Sequence, residues 1–345
     1  MSAKKLIIGM VILISLIGAF GIAHFYRSLL SRDVLDDDHK ELFLHIPTGS
    51  RFDNVMQLLS DSGLVQNPKE FRWLALQMKY DERVRPGRYR VSHGMNSRQL
   101  IALLRNGKQS PVKLMFQNVR TTRQLAGIIS RQLETDSTEL AKLLEDDDFL
   151  ATLGLNRYTA ASLFIPNTYE FYWNTDAKKF IEKMHKEYKT FWNGSRLGRA
   201  NRIGLTPEQV STLASIVERE TSRNDEKPTV AGVYMNRLQK NWKLDADPTL
   251  IFAANDFTIR RVLNKHKQID SPYNTYKYGG LPPGPICIPS ISSLDAVLSY
   301  SKHEYMFFCA REDFSGYHNF AKTYSEHLAN ARRFQKELDR RRINS

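Results

Sequence analysis

Residues 6–25 (LIIGMVILISLIGAFGIAHF) form an apolar run broken only by Ser15 and His24. About 20 helical residues, rising ~1.5 Å each, cross a hydrocarbon core of roughly 30 Å, so this run predicts a transmembrane helix. Lys4 and Lys5 precede it, and no acid occurs before Asp33. A cleaved leader has a shorter apolar core and a small-residue cleavage site; here the run is long and Gly21-Ile22-Ala23 is only a passable site. The run therefore reads as an uncleaved anchor, with residues 1–26 as stub and span. Arg27 and Arg32 blunt the charge asymmetry across it. The larger part of the chain is placed outside the cytoplasm.

Beyond a polar linker at 27–40, the pattern becomes mixed. ELFLHIP alternates at Leu42, Leu44 and Ile46, as a strand with one buried face does. Ser50 or Asp53 is expected to cap a helix through Val55, Leu58 and Leu59, and Pro68 to open a second one. VRPGRYRV reads as a strand after a Pro-Gly turn, and SRQLIALLRN as a helix stopped by Gly107. Strand, helix, helix, strand and helix over 41–112 predict a small α+β module. The block from 113 to 200 predicts a strand at 112–116, then helical spacing at Leu125, Ile128, Ile129 and Leu133. Continued helix follows through ELAKLLEDDDFLATLGL, then a strand-like aromatic stretch, SLFIPNTYEFYWNT. Phe180, Met184, Tyr188 and Phe191 form one stripe of an amphipathic helix, and such a stripe belongs to a core. Thr206, Pro207 and Gln209 make a capping box with proline at the first helical position. A last helix is expected at 325–341. The fold class is α+β, with 113–345 as the larger domain.

Composition narrows the partners. After the span, the 48 Lys and Arg exceed the 37 acids by 11. A basic excess suits an anionic partner or serves solubility. No zinc-finger spacing, RNP motif or helix–turn–helix pattern supports nucleic acid, and an export anchor argues against it. Cys287 and Cys309 are too few for a disulfide scaffold and sit in apolar runs, as buried thiols do. His303, His318 and His327 lack ligand spacing and no HExxH occurs, so no metal is expected. No GxSxG elbow, phosphate loop or GxGxxG appears, so no cofactor is expected either. His318, in GYHNF, reads as a core histidine.

What remains is carboxyl chemistry on the helix LTPEQVSTLASIVERETS. At 100° per residue, Val210, Leu213, Ala214 and Val217 share one arc. Glu218 lies on one flank of that arc and Glu220 on the other, so the two acids cannot act as a close pair. A flank carboxyl loses solvent, which raises its pKa towards what a general acid needs. The helix alone does not choose between the two. The loop SPYNTYKYGGLPPGP supplies phenols, an amide and a hydroxyl on a shaped Pro/Gly frame, which suits sugar rings.

These segments resemble the YceG-like (MltG) family of endolytic murein transglycosylases. The resemblance rests on SIVERET (215–221), GVYMNRL (232–238), L-x-x-DPT (244–249), SPYNTY (271–276) and GLPPGPI (280–286), in the family's order. It covers nearly the whole chain. It implies a single-pass anchor in the bacterial cytoplasmic membrane, a LysM-like module at 41–112 and extracytoplasmic action on nascent peptidoglycan strands, close to peptidoglycan synthases. It implies Glu218 as the catalytic acid, by its place in the S-I-V-E motif. Tyr273, Asn274, Thr275, Tyr276 and Asn236 are the expected substrate-binding residues. The chain departs from the family pattern at Ala161-Ser162, Asn167 and Gln117-Asn118-Val119. A lytic transglycosylase needs one carboxyl, because the substrate's own C6 hydroxyl attacks C1 and closes a 1,6-anhydro ring. The alternatives are a two-carboxyl hydrolase pairing Glu218 with Asp247 or Glu170, and a non-catalytic wall-binding protein.

Overall fold

The computed structural model describes residues 8–20, 42–92 and 94–341. Residues 8–20 form helix α1, with Ile8, Val11, Ile14 and Ile17 exposed. Both ends of the expected span at 6–25 and the linker at 27–40 lie outside the described residues. Among the described residues no helix is long and apolar enough to cross a membrane.

The chain divides into two compact units. The first runs to Lys113 and takes in Gln132–Glu134 and Glu170–Thr175 from later in the chain. Its elements follow the expected order: β1 (Leu42–Ile46), α2 (Phe52–Asp61), α3 (Pro68–Gln77), β2 (Gly87–Val91) and α4 (Ser97–Asn106). Strands β1 and β2 pair antiparallel, with Leu44 opposite Tyr89. Leu44, Ile46, Tyr89 and Val91 point inward onto Val55, Leu59, Phe71, Leu100 and Leu104. Leu42, expected on the same face, is only partly buried, because it lies at the strand end. The cap of α2 also differs from expectation. Neither Ser50 nor Asp53 serves; Arg51 precedes the helix and its backbone N–H donates to Asn54 Oδ1 at 2.8 Å. Gly107 stops α4 in the left-handed conformation, at φ 68°, where a side chain would be strained. The later segments are tied in at Thr48, whose N–H donates to Glu134 Oε1 at 2.6 Å.

The remaining elements are β3 (Val112–Met115), α5 (Thr122–Ser130), α6 (Ser137–Leu143), α7 (Asp147–Ala151), β4 (Thr168–Phe171), α8 (Ala177–Phe191) and α9 (Gly194–Arg202). They continue with α10 (Pro207–Glu220), α11 (Lys227–Gln239), α12 (Asp247–Ala253), α13 (Ile291–Leu298), β5 (Phe307–Ala310), β6 (His318–Ala321) and α14 (Tyr324–Arg340). Among the described residues every sheet is two-stranded: β1–β2, β3–β4 and β5–β6. The stretch expected to be one continuous helix from 139 splits into α6 and α7, because Asp146 accepts from the N–H groups of Asp148 and Phe149 and starts a new helix. In SLFIPNTYEF only Thr168–Phe171 is strand; Ala160–Leu163 is a short 3-10 turn.

Helix α10 is the axis of the second unit. Its capping box forms as expected: Gln209 N–H donates to Thr206 Oγ1, and Thr206 N–H to Gln209 Oε1. The expected apolar arc is too narrow, however. Every residue from Val210 to Val217 is buried, because α13, α11 and α12 all pack on the helix. Thr212 and Ser215 return their hydroxyl protons to the helix itself, Thr212 Oγ1 donating to Glu208 O at 2.8 Å, whereas the buried Ser211 hydroxyl has no partner among the described residues. Ser215 Oγ donates to Thr212 O at 2.7 Å and accepts from Ile286 N–H at 2.9 Å, which docks the GPICIP segment on the helix. In that segment Gly284 has no room for a side chain, since a Cβ would sit 1.9 Å from Tyr158 O.

Candidate active site

The last turn of α10 carries Glu218 and Glu220 into two different environments, as their spacing predicts. Glu218 Oε2 accepts from Lys227 Nζ at 2.9 Å, from Ser290 Oγ at 2.5 Å and from Ser293 Oγ. Lys227 begins α11 and is buried; it also donates to Ser290 Oγ (3.3 Å) and Ser292 Oγ (3.1 Å). Burial pushes the Glu218 carboxyl up, but the hydrogen bonds of Ser290, Ser293 and Lys227, with the lysine's charge, outweigh it and hold the group below the ordinary value. The expected rise therefore does not occur at Glu218. Desolvation was foreseen; the donors that oppose it come from distant segments.

Glu220 faces the other way, into a cavity of about 490 Å³. The cavity is lined by Glu220, Tyr234, Arg237, Asp245, Asp247, Lys267, Tyr276, Phe307, Phe308, Tyr324 and His327. Tyr234, from α11, donates its phenol to Glu220 Oε1 at 2.6 Å. Burial drives the Glu220 pKa up to about 7; Asp247's charge adds to the rise, against the Tyr234 hydrogen bond and Arg237. The helix dipole has the same sign, since the C-terminal end of a helix disfavours an anion. Asp247, the first residue of α12, accepts from Tyr276 Oη at 2.7 Å. Burial likewise raises Asp245. Arg237 is committed to the frame: its Nε donates to Met306 O and its Nη1 to Leu244 O. Lys267 Nζ lies over the Tyr276 ring, 4.8 Å from its centre. Phe307 and His327 stack at 5.4 Å and, with exposed Tyr324, make an aromatic wall.

This set contains a group that is half protonated near neutral pH, phenols and carboxylates to bind hydroxyls, and aromatic faces for the apolar side of a sugar ring. Among the described residues no cluster of His, Cys, Asp or Glu is arranged to hold a metal ion.

Of the expected substrate residues, Tyr276 lines this cavity. Asn274 is fully buried and spends its side chain on its own loop, donating to Lys267 O and Ile269 O and accepting from the N–H groups of Tyr276 and Lys277. Thr275 is buried against Thr249 and accepts from Ala246 N–H at 3.0 Å. These two residues fasten the SPYNTY loop to the DPT segment and so set Tyr276 beside Asp247. Tyr273 packs on Phe252 with ring centres 4.6 Å apart. Asn236 donates to His303 O and Tyr305 O. His318, expected in the core, is only partly buried, with Nδ1 2.8 Å from Glu226 Oε2, and both cysteines are free. Sequence reasoning singled out none of Tyr234, Lys267, Phe307 and Tyr324, although Tyr234 lies within GVYMNRL, and it weighed His327 only as a metal ligand. Asp247 was visible in DADPT, but as a partner for Glu218.

The YceG-like family model matches residues 44–333. The endolytic murein transglycosylase of Bacillus subtilis is 27% identical over 324 residues, covering 89% of this chain and 88% of that protein. The endolytic murein transglycosylase of Streptococcus pneumoniae (D39) is 25% identical over 346 residues, covering 89% of this chain but only 61% of the longer pneumococcal protein. A crystal structure of a YceG-like protein from Listeria monocytogenes is similar at a TM-score of 0.56 and 27% identity, covering 84% of this chain and 99% of that one.

Proposed function

The chain belongs to the YceG-like family and is a murein lytic transglycosylase; we propose that it cuts the MurNAc–GlcNAc bond inside nascent glycan strands, with Glu220 as the acid. The observation that carries this assignment is the raised pKa of Glu220 in a cavity shared with Tyr276 and Asp247. The protonated carboxyl gives its proton to the glycosidic oxygen as the C1–O bond breaks. The resulting carboxylate takes the proton of the MurNAc C6 hydroxyl, whose oxygen bonds to C1. The products are a free GlcNAc hydroxyl and a 1,6-anhydroMurNAc end; no water is consumed and Glu220 is regenerated.

Glu218 is the acid that the motif resemblance implies. Its three donors keep it ionised, which suits a base better than an acid, so the geometry favours Glu220. Asp247 supplies the second carboxyl that a hydrolase would need, so the hydrolytic reading now pairs Asp247 with Glu220. We place the anchor at 6–25 in the cytoplasmic membrane, the catalytic unit outside, the 41–112 module as a LysM-like wall contact, and the synthases of the strand as neighbours.

The test is mass spectrometry of fragments released from uncrosslinked peptidoglycan by the chain and by its Glu220→Gln and Glu218→Gln variants. Anhydro ends from the wild type and a loss of about 10²–10⁴-fold in Glu220→Gln are expected. Total loss in Glu218→Gln with activity kept in Glu220→Gln would return the acid to Glu218. Reducing ends, one water heavier, would establish hydrolysis.

A further inference from the structure

We propose that Glu218 and Lys227 are positioning residues of this reaction: a charged staple that holds the last turn of α10 and so keeps the Glu220 carboxyl in its cavity. The proposal rests on the reading of Glu220 as the acid.

The staple joins three helix ends. Glu218 is in the last turn of α10, Lys227 is the first residue of α11, and Ser290 is the N-cap of α13. The lysine side chain is 4% exposed and its three donors meet three acceptors: Glu218 Oε2, Ser290 Oγ and Ser292 Oγ. Nothing on it is left over for a substrate. Glu218 Oε2 already accepts three hydrogen bonds, so that oxygen is committed to the protein.

A carboxylate at a helix C-terminus opposes the dipole of its own helix. Here Lys227 and the N-terminal ends of α11 and α13 offset that cost, so the charge is tolerable only while the three ends stay together. Burying an ion pair is a poor route to stability, because desolvation cancels much of the attraction; what it provides is a unique geometry. That geometry matters at this place. Helix ends fray, and Glu220 is the final residue of α10. Just beyond the last turn, Thr221 Oγ1 donates to Glu226 Oε2, and Glu226 accepts from His318 N–H. The acid therefore sits between two buried polar anchors. Loosening the charged one lets the turn open, admits water to Glu220 and shifts its carboxyl from the scissile oxygen.

The experiment is the pH–rate profile of anhydro-product formation for the full chain in detergent, with Glu218→Gln, Lys227→Met and the double variant. Each single variant should lower kcat by about 10–100-fold with little change in KM, since a displacement near 1 Å costs that much. The alkaline limb of the profile, set by Glu220 near 7, should move down towards an ordinary glutamate. The double variant should recover part of the rate of Lys227→Met, because it leaves no charge unpaired. Glu218→Gln is isosteric and keeps the serine hydrogen bonds, so it carries the test if Lys227→Met does not fold. A full rate in Glu218→Gln overturns the staple and leaves Glu220 as the acid. A lowered rate with an unmoved limb also overturns it, because loss of folded enzyme alone has that effect. An inactive Glu218→Gln beside an active Glu220→Gln instead overturns the reading on which the staple rests.

Discussion

Glu218 and Glu220 stand two residues apart on one helical turn and hold their protons with opposite strength. Both are desolvated, and for both desolvation is the largest influence. They differ in what meets the oxygen atoms. Glu218 meets an ammonium and two hydroxyls, and is stabilised as an anion. Glu220 meets one phenol and the field of Asp247, and is not. Burial therefore does not by itself make a general acid. Burial combined with a shortage of donors does, and a neighbouring negative charge sharpens it.

The contrast should break most visibly with pH. Glu220 has a folded pKa above its ordinary 4.5, at about 7. Its contribution to stability is fully present below the unfolded value and is lost as pH rises through about 7. Between pH 5 and 8 the chain should lose about 1–3 kcal/mol on this account. Urea unfolding of Glu220→Gln should show no such loss, and catalytic rate should fall over the same window. Glu218 has the opposite sign. Its folded pKa is depressed, so its contribution is present above the ordinary carboxylate value and disappears as pH falls through the depressed one.

A smaller effect sharpens the role of Asp247. Tyr276→Phe removes the phenol that donates to Asp247 Oδ1. A hydrogen bond to a charged group contributes about 1.5–3 kcal/mol when buried; Tyr276 is only half buried, so a loss of roughly fivefold in kcat/KM is expected. Initial rates on defined strands measure it, and an unchanged rate would remove Tyr276 from substrate orientation. The smallest effect is a control at the far end of α10. Thr206→Ala deletes the cap and should cost about 1 kcal/mol of stability, read by thermal unfolding. The alkaline limb should not move, because the capping box at Thr206 does not reach the last turn.

Much of the scaffold was legible because its causes are local. The strand–helix–helix–strand–helix order of the first unit follows from alternation, Pro68 and Gly107. The capping box at Thr206 and Gln209 is written in four residues. Two features were missed for different reasons: Asp146 restarts a helix by a local cap within an apparently continuous pattern, and β5–β6 is a pair that neither strand's own sequence announces. The site was less legible. Asn274 and Thr275 have the chemistry of sugar ligands, yet the fold turns them inward to hold the loop that presents Tyr276.

The sequence alone determined that two acids leave α10 on opposite flanks, since the helical period places residues two apart about 200° from each other. Which of them keeps its proton was decided only by the tertiary structure. Ser293 lies 75 residues from Glu218, and Tyr234 lies 14 from Glu220. Ionisation answers to charges and donors within a few ångströms in space, and the chain folds those groups into place from segments that carry no sign of the carboxyl they will meet.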